Sequence, residues 1–279
     1  MSCLVKMRAV REELSANEKR IADFILRNSA LIRDYSSQNL AASVGVSQSS
    51  IIKFSQKLNY RGFTDLKLAI HESVVKSDNG EGSEEHVHGV DERADSIQQQ
   101  LSSIKNEALM TTMELNDEDR ILSAVKLLES SKRIQIIALG AGSLVARNFA
   151  SMLIQIGKSV IAEVDTYIQL SSIATLGKGD VVVVISFSGQ SSKMVQITRQ
   201  AKKAGVAIIS LTNYSANPIR SLADVRLFSV GREGACEVPQ IIWNASQQHV
   251  VDVLFAQMLK RDPGAKGLLA LSRKAVEDF

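Results

Sequence analysis

The sequence predicts two domains of different class, an all-α domain over residues 1–75 and an α/β domain with a three-layer parallel sheet over residues 96–279. Three observations carry this reading. Apolar residues recur with helical period through the first 75 positions; beyond residue 130, short branched apolar runs alternate with helical stretches; and the segment 76–95 between them has almost nothing to bury. A chain of 279 residues suits about two domains.

The first element has a charged start. Lys6, Arg8, Arg11, Glu12 and Glu13 leave no apolar core for a signal peptide, and Cys3 falls near an end expected to be mobile. Cys3 and Cys236 are too far apart in sequence to suggest a metal motif or a disulfide framework. Ser15 followed by Glu18 has capping-box spacing, and Ile21, Phe24 and Ile25 continue a helix towards Asn28. A second helix is expected from Ser36 or Ser37 to Gly45, a third from Ser47 to Asn59, and a fourth from about Thr64.

Within SQNLAASVGVSQSSIIKFSQKL, residues 37–58, the second and third of these helices have helix-turn-helix spacing. Gly45 stands where the turn needs positive φ, and Ala41 is small where the helices meet. Ile51, Phe54 and Leu58 share one face of the third helix; Ser49, Lys53 and Gln56 share the opposite one. Ser, Gln and Lys near the start of such a helix suit base edges and phosphates in a major groove. The DNA-binding candidates are therefore Ser47, Gln48, Ser49, Lys53, Gln56, Lys57 and Arg61, with Arg61 the preferred phosphate clamp and Lys67 extending the positive surface. A solvated helical bundle is the plainer alternative. Charge favours DNA: residues 1–75 hold 11 Lys/Arg against 7 Asp/Glu, whereas 76–95 hold 2 against 7, inside a total of only +3. That acidic segment is expected to be a tether, and its His86 and His88 to be solvated.

One or two amphipathic helices are expected over 96–130. The runs RIQIIALG, KSVIAEV, DVVVVISFS, VAIISLT and VRLFSV then read as strands of a parallel sheet with helices on both faces. A long helical region follows from about Val238 through Lys260, with another, short, near the C-terminus. Ligands of such sheets gather at the carboxyl ends of strands. Two of these ends are unusual. In ALGAGSLVARN, Gly140 and Gly142 would let backbone amides approach a ligand; in SFSGQSSK, Ser186, Ser188, Gly189, Gln190 and Ser191 make a neutral cradle of hydroxyls and amides for a phosphate monoester. A dinucleotide site is the competing reading, with Glu163 or Asp165 as the ribose acid, but Val145 occupies the fingerprint's third glycine position.

With these motifs in view, the chain resembles the RpiR-type bacterial transcriptional regulators over nearly its whole length. SQSSIIKFSQKLNYRGFTDLKLA is similar to that family's helix-turn-helix and following helix, and SFSGQS to the phosphosugar signature of its sugar isomerase (SIS) domain. The resemblance implies a flavodoxin-like SIS fold and a homodimer or homotetramer. It implies that a phosphorylated sugar held by Ser186, Ser188 and Ser191 adjusts DNA affinity, and the match around Ser47 to Phe63 is similar to the branch that senses amino-sugar phosphates. The two modules and their tether point to a ligand-controlled repressor reading a pseudo-palindromic operator as a dimer, with an activator or a dual-function SIS protein as the alternatives. Ser143 would assist from the first loop, although relatives often place a serine where this chain has Gly142. Tyr167 stands where some relatives have histidine.

No catalytic residue, metal or cofactor is expected. An isomerase would need a base, for which Glu233, Glu237 and His249 are the candidates, and none carries a recognisable motif. His71, Trp243 and Asp252 are assigned to packing or surface contact. The longest strongly apolar stretch, Val181 to Ile185, is far below the ~20 residues of a membrane helix, so a cytoplasmic protein is expected.

Overall fold

The computed structural model describes residues 3–29, 31–78, 96–231 and 238–278. They fall into two compact units, residues 1–100 and 101–279. The positions of the expected linker from 79 to 95 lie outside the described residues, as do Cys236, Glu233 and Glu237.

The first unit is helical: α1 (Cys3–Val10), α2 (Ala16–Arg27), α3 (Ser37–Val44), α4 (Gln48–Lys57) and α5 (Phe63–Asp78), with short 3-10 turns at Arg11–Glu13 and Leu31–Asp34. Met7, Ile21, Ile25, Ile32, Leu40, Ile51, Phe54, Leu66 and Ile70 are fully buried and form its core. The Ser15–Glu18 capping box opens α2, with Ser15 N donating to Glu18 Oε2 at 2.7 Å. One expectation fails here. Cys3 is not at a loose end: it is 2% exposed in α1, its N–H donates to Ser73 Oγ of α5 at 2.9 Å, and burial raises its thiol pKa. Cys3, Leu4, Val5 and Met7 are too few to show a period, and packing against neighbouring helices decides their structure.

The second unit begins within α6 (Ile97–Leu115) and continues with α7 (Glu118–Ser130), β1 (Ile134–Ala138), α8 (Gly142–Gln155), β2 (Val160–Ile161), α9 (Thr166–Ile173), β3 (Val181–Ile185) and α10 (Ser192–Lys203). It ends with β4 (Ala207–Thr212), α11 (Pro218–Leu222), β5 (Val225–Phe228), α12 (Gln240–Arg261) and α13 (Pro263–Glu277). All strand pairs are parallel, in the order β2-β1-β3-β4-β5. This is the flavodoxin-like order, whose reversal between β1 and β3 leaves a crevice at their carboxyl ends.

Strand alternation divides the core in two. Ile134, Ile136, Val181, Val183, Ile209 and Leu211 pack with α7, α8, α12 and α13, whereas Ile137, Val182, Val184 and Ile208 pack with α9, α10 and α11. Helices therefore cover both faces, as a parallel sheet requires. At the carboxyl end of edge strand β5, side chains extend the ladder: Asn116 Nδ2 donates to Phe228 O, Asn116 Oδ1 accepts from Phe228 N, and Thr112 Oγ1 accepts from Val230 N.

The terminal helix α13 is 15 residues long, not short as expected. Asp262 caps it by accepting from Gly264 N, Pro263 occupies its first turn, and Ala265 and Leu269 are buried against the core. Gly264 and Gly267 obscure its period in the sequence. Among the described residues no helix is long and apolar enough to cross a membrane, and no cluster of three His, Cys, Asp or Glu could hold a metal ion.

Candidate functional site

The turn between α3 and α4 is held from both sides. Gly45 adopts φ +72°, and its N–H and that of Val46 both return to Ala41 O. Arg20 Nη2 donates to Val44 O at 2.6 Å, and a Cβ on Gly45 would lie 2.8 Å from that nitrogen. Glycine therefore supplies both the backbone conformation and the room for the guanidinium that caps α3. Ser47 then caps α4, accepting from Ser50 N, and Gln48 Nε2 donates to Ser37 Oγ at 2.8 Å.

Ile51, Phe54 and Leu58 are buried, while Ser47, Gln48, Ser49, Lys53, Gln56, Lys57 and Arg61 are all exposed. These seven do not present equivalent groups. The Ser47 hydroxyl serves the cap and meets Ser49 Oγ at 2.9 Å, and Lys57 Nζ is paired with Glu18 Oε2 at 2.7 Å. Burial alone would raise the Glu18 pKa, but hydrogen bonds from Lys57 and Ser15 outweigh it and hold the carboxyl below its ordinary value. Arg61 follows Asn59, whose φ of +68° ends α4, and its backbone N–H is fixed by Asp65 Oδ2. Lys67 Nζ donates to Tyr35 O at 3.2 Å.

The second locus lies at the carboxyl ends of β1 and β3. Gly140 has φ +59°, and Ser143 donates both its N–H and its hydroxyl to Gly140 O, so that serine is stitched into its own turn. Gly142 opens α8, and a Cβ there would make only ordinary contact with Ile185 O at 3.6 Å. That contact brings the first loop beside the end of β3.

The loop after β3 is latched to the loop after β4. Ser186 N donates to Leu211 O, Asn213 N to Phe187 O, and Ile219 N to Gly189 O. Gly189 is buried at φ +64°, and a Cβ there would fall 2.0 Å from Asn217 Oδ1. Asn217, itself buried, caps α11 through Arg220 N and donates through Nδ2 to Thr212 Oγ1 and Ser215 O. Ser188 and Gln190 are exposed, Ser186 and Ser191 half-buried. Ser191 occupies the N-cap of α10 without spending its hydroxyl on a cap, and the first-turn amides of α10 have no intrahelical acceptor. Such a turn can receive an anion.

Sequence reasoning passed over two residues here and assigned a third, Trp243, to packing or surface contact. Asn217 had a signal, an Asn-Pro dipeptide after a strand. Lys193 is exposed in the first turn of α10, two residues after the Ser191 of a cradle read as neutral. Trp243 of α12 stacks on Phe187, with ring centroids 3.8 Å apart and planes 9° apart, and Gly231 leaves room for its indole edge. Its indole N–H is buried without a partner among the described residues. Asp165, read as a possible ribose acid, instead caps α9 by accepting from Tyr167 N and Ile168 N, and Tyr167 is 79% exposed. His249 is half-buried on α12.

Residues 1–77 match the family model of the rpiR-family helix-turn-helix domain, and residues 127–256 match that of the SIS domain. Among solved structures, the Vibrio vulnificus NanR protein complexed with ManNAc-6P is 24% identical, with TM-score 0.62 over 99% of this chain and 98% of that one. The sugar isomerase domain of an RpiR transcription factor from Sphaerobacter thermophilus is 22% identical, with TM-score 0.57 over 64% of this chain and 99% of that one. A putative sugar-phosphate isomerase from Listeria monocytogenes is 14% identical, with TM-score 0.52 over 60% and 93% respectively. At these identities the structural likenesses speak to fold.

Proposed function

The chain belongs to the RpiR-type family of transcriptional regulators, joining an rpiR-family helix-turn-helix to a SIS domain, and on that premise we propose that it is a repressor whose hold on its operator is set by a phosphorylated sugar. The observation that carries this reading is the loop after β3. Gly189 and Asn217 fix the shape of the loop that carries Ser186, Ser188 and Ser191, and Ser191 stands at the N-cap of α10 with its hydroxyl unspent on a cap. Gly140, Gly142 and Ser143 form the neighbouring wall, and Gln190 a rim. A phosphate there gains hydrogen bonds and the positive end of the helix dipole, while Lys193 adds charge.

In the reading head, Gln48, Ser49, Lys53 and Gln56 face base edges and Arg61 a phosphate; Ser47 orders the start of α4, and Lys57 is available only in competition with Glu18. Two such heads on a homodimer or homotetramer read a pseudo-palindrome. A coupling of about 1–3 kcal/mol between sugar and operator changes DNA affinity roughly 5- to 150-fold. An amino-sugar phosphate is the proposed effector class, and the NanR complex makes ManNAc-6P the first compound to try. The test is operator binding with and without a panel of phosphorylated sugars. A compound that raises the melting temperature but leaves DNA affinity unchanged would refute control by the sugar.

The likeness to a putative isomerase motivates a second reading, catalysis of aldose–ketose exchange. It requires a base at the loop. Conversion of a hexose or pentose phosphate by the purified protein would establish it.

A further inference from the structure

One apolar side chain on α4 has no evident role in folding. Ile51, Phe54 and Leu58 are between 0% and 5% exposed, whereas Ile52 is 39% exposed. A branched aliphatic residue there is a modest helix former, since its χ1 is restricted, and it leaves 39% of its surface to water. Single apolar surface residues are common, so exposure alone decides nothing. Position is the second observation. Ile52 lies one helical turn from Gln48 and Gln56 and three residues from Ser49, so its surface neighbours are the side chains that face bases in the proposed reading head. It is the one apolar member of that face.

A major groove offers one apolar group, the C5-methyl of thymine, which lies beside the hydrogen-bonding edge of an A·T pair. Glutamine, like asparagine, pairs bidentately with adenine. An isoleucine one turn from a glutamine thus matches the chemistry of an A·T-containing step, with the amide on adenine and the aliphatic group on a methyl.

We infer that Ile52 is a specificity-determining residue that packs on a thymine C5-methyl within the operator half-site. This rests on the DNA-binding reading above. The full chain is first used to select binding sites from random duplex DNA. In the selected duplex each thymine is then replaced singly by deoxyuridine, which deletes only the methyl group, and affinity is measured by fluorescence anisotropy. Wild type is expected to lose about fourfold at the contacted thymine, the affinity equivalent of one buried methylene-sized group. Ile52→Ala is expected to bind the thymine and uracil duplexes equally, and Ile52→Val to keep most of the difference. If no thymine methyl matters to wild type, or if Ile52→Ala keeps the same loss at the same thymine, the inference is wrong. Selection that enriches no sequence removes the DNA-binding reading and this inference together; an enriched sequence with dispensable methyls removes the inference alone.

Discussion

Asn217 Oδ1 stands 2.0 Å from the place a Cβ on residue 189 would occupy, so the loop after β3 can close against the loop after β4 only over a glycine. Positive φ at the same position makes the requirement twofold. Gly189→Ala is therefore expected to cost at least about 1–2 kcal/mol from left-handed backbone alone, and more if Asn217 must leave its cap on Arg220. The melting temperature of the SIS domain should fall by roughly 2–8 °C, and stabilisation by sugar phosphate should vanish. Because the clash is with one side chain, Asn217→Ala in the same protein should recover part of the loss, a non-additivity read by a double-mutant cycle. Strict additivity would show that the two residues do not press on one another.

Ser188 and Lys53 separate the two proposed sites. The Ser188 hydroxyl is exposed and only accepts weakly from Gln190 N at 3.3 Å, so Ser188→Ala should change stability by less than about 0.5 kcal/mol. It should nevertheless abolish most of the thermal shift given by the effector and leave operator affinity intact. Lys53→Ala should do the reverse, lowering operator affinity and reducing the slope of log affinity against log salt by about one. A Ser188→Ala protein that responds fully to sugar phosphate would remove that serine from the cradle.

The helical class of the N-terminal region, the helix-turn-helix and the strand-helix alternation of a parallel sheet were legible because each rests on periodicity or on a glycine at a turn; the strand order was not, since pairing between strands carries no local signal. The sequence signal fails where long-range pairing decides. Cys3 could not be placed until α5 supplied Ser73, and nothing local says that Asn116 and Thr112 finish the edge of β5, 112 and 118 residues away. Within the candidate site, Ser188 and Ser191 announce themselves by composition, but Asn217 and Trp243 reach the loop only through the fold. Lys57 and Lys67 illustrate the converse: their charge was visible, and their engagement by Glu18 and Tyr35 O was not.

Trp243 is the single tryptophan of the chain and lies flat on Phe187, between two serines of the proposed cradle. Occupation of the loop should therefore alter its surroundings directly. Tryptophan emission is expected to change on adding the effector, saturating with the same dissociation constant as the thermal shift. Phe187→Leu should keep ligand-induced stabilisation while weakening the optical signal. Emission indifferent to a ligand that stabilises the protein would place that ligand elsewhere.

Glu18 joins the beginning of α2 to the end of α4, accepting from Ser15 N and from Lys57 Nζ, each at 2.7 Å. Its folded-state pKa lies below the unfolded value of about 4.3, so the unfolded chain binds the proton more readily. The pair therefore stabilises the reading head above that pH, and the contribution is lost as pH falls through the lower, folded value. With Lys57 45% exposed, the ion pair itself is worth only about 0.2–1 kcal/mol. Glu18→Gln should flatten the acid limb of helix-turn-helix stability measured by chemical denaturation between about pH 5 and 3. It should also release Lys57 Nζ towards DNA, strengthening operator binding at low salt and steepening the salt slope by up to about one. Lys57→Ala in the Glu18→Gln background should cancel that gain, whereas alone it should weaken DNA binding less than Lys53→Ala. Equal losses from the two lysines would mean that Glu18 gives up its partner when DNA arrives.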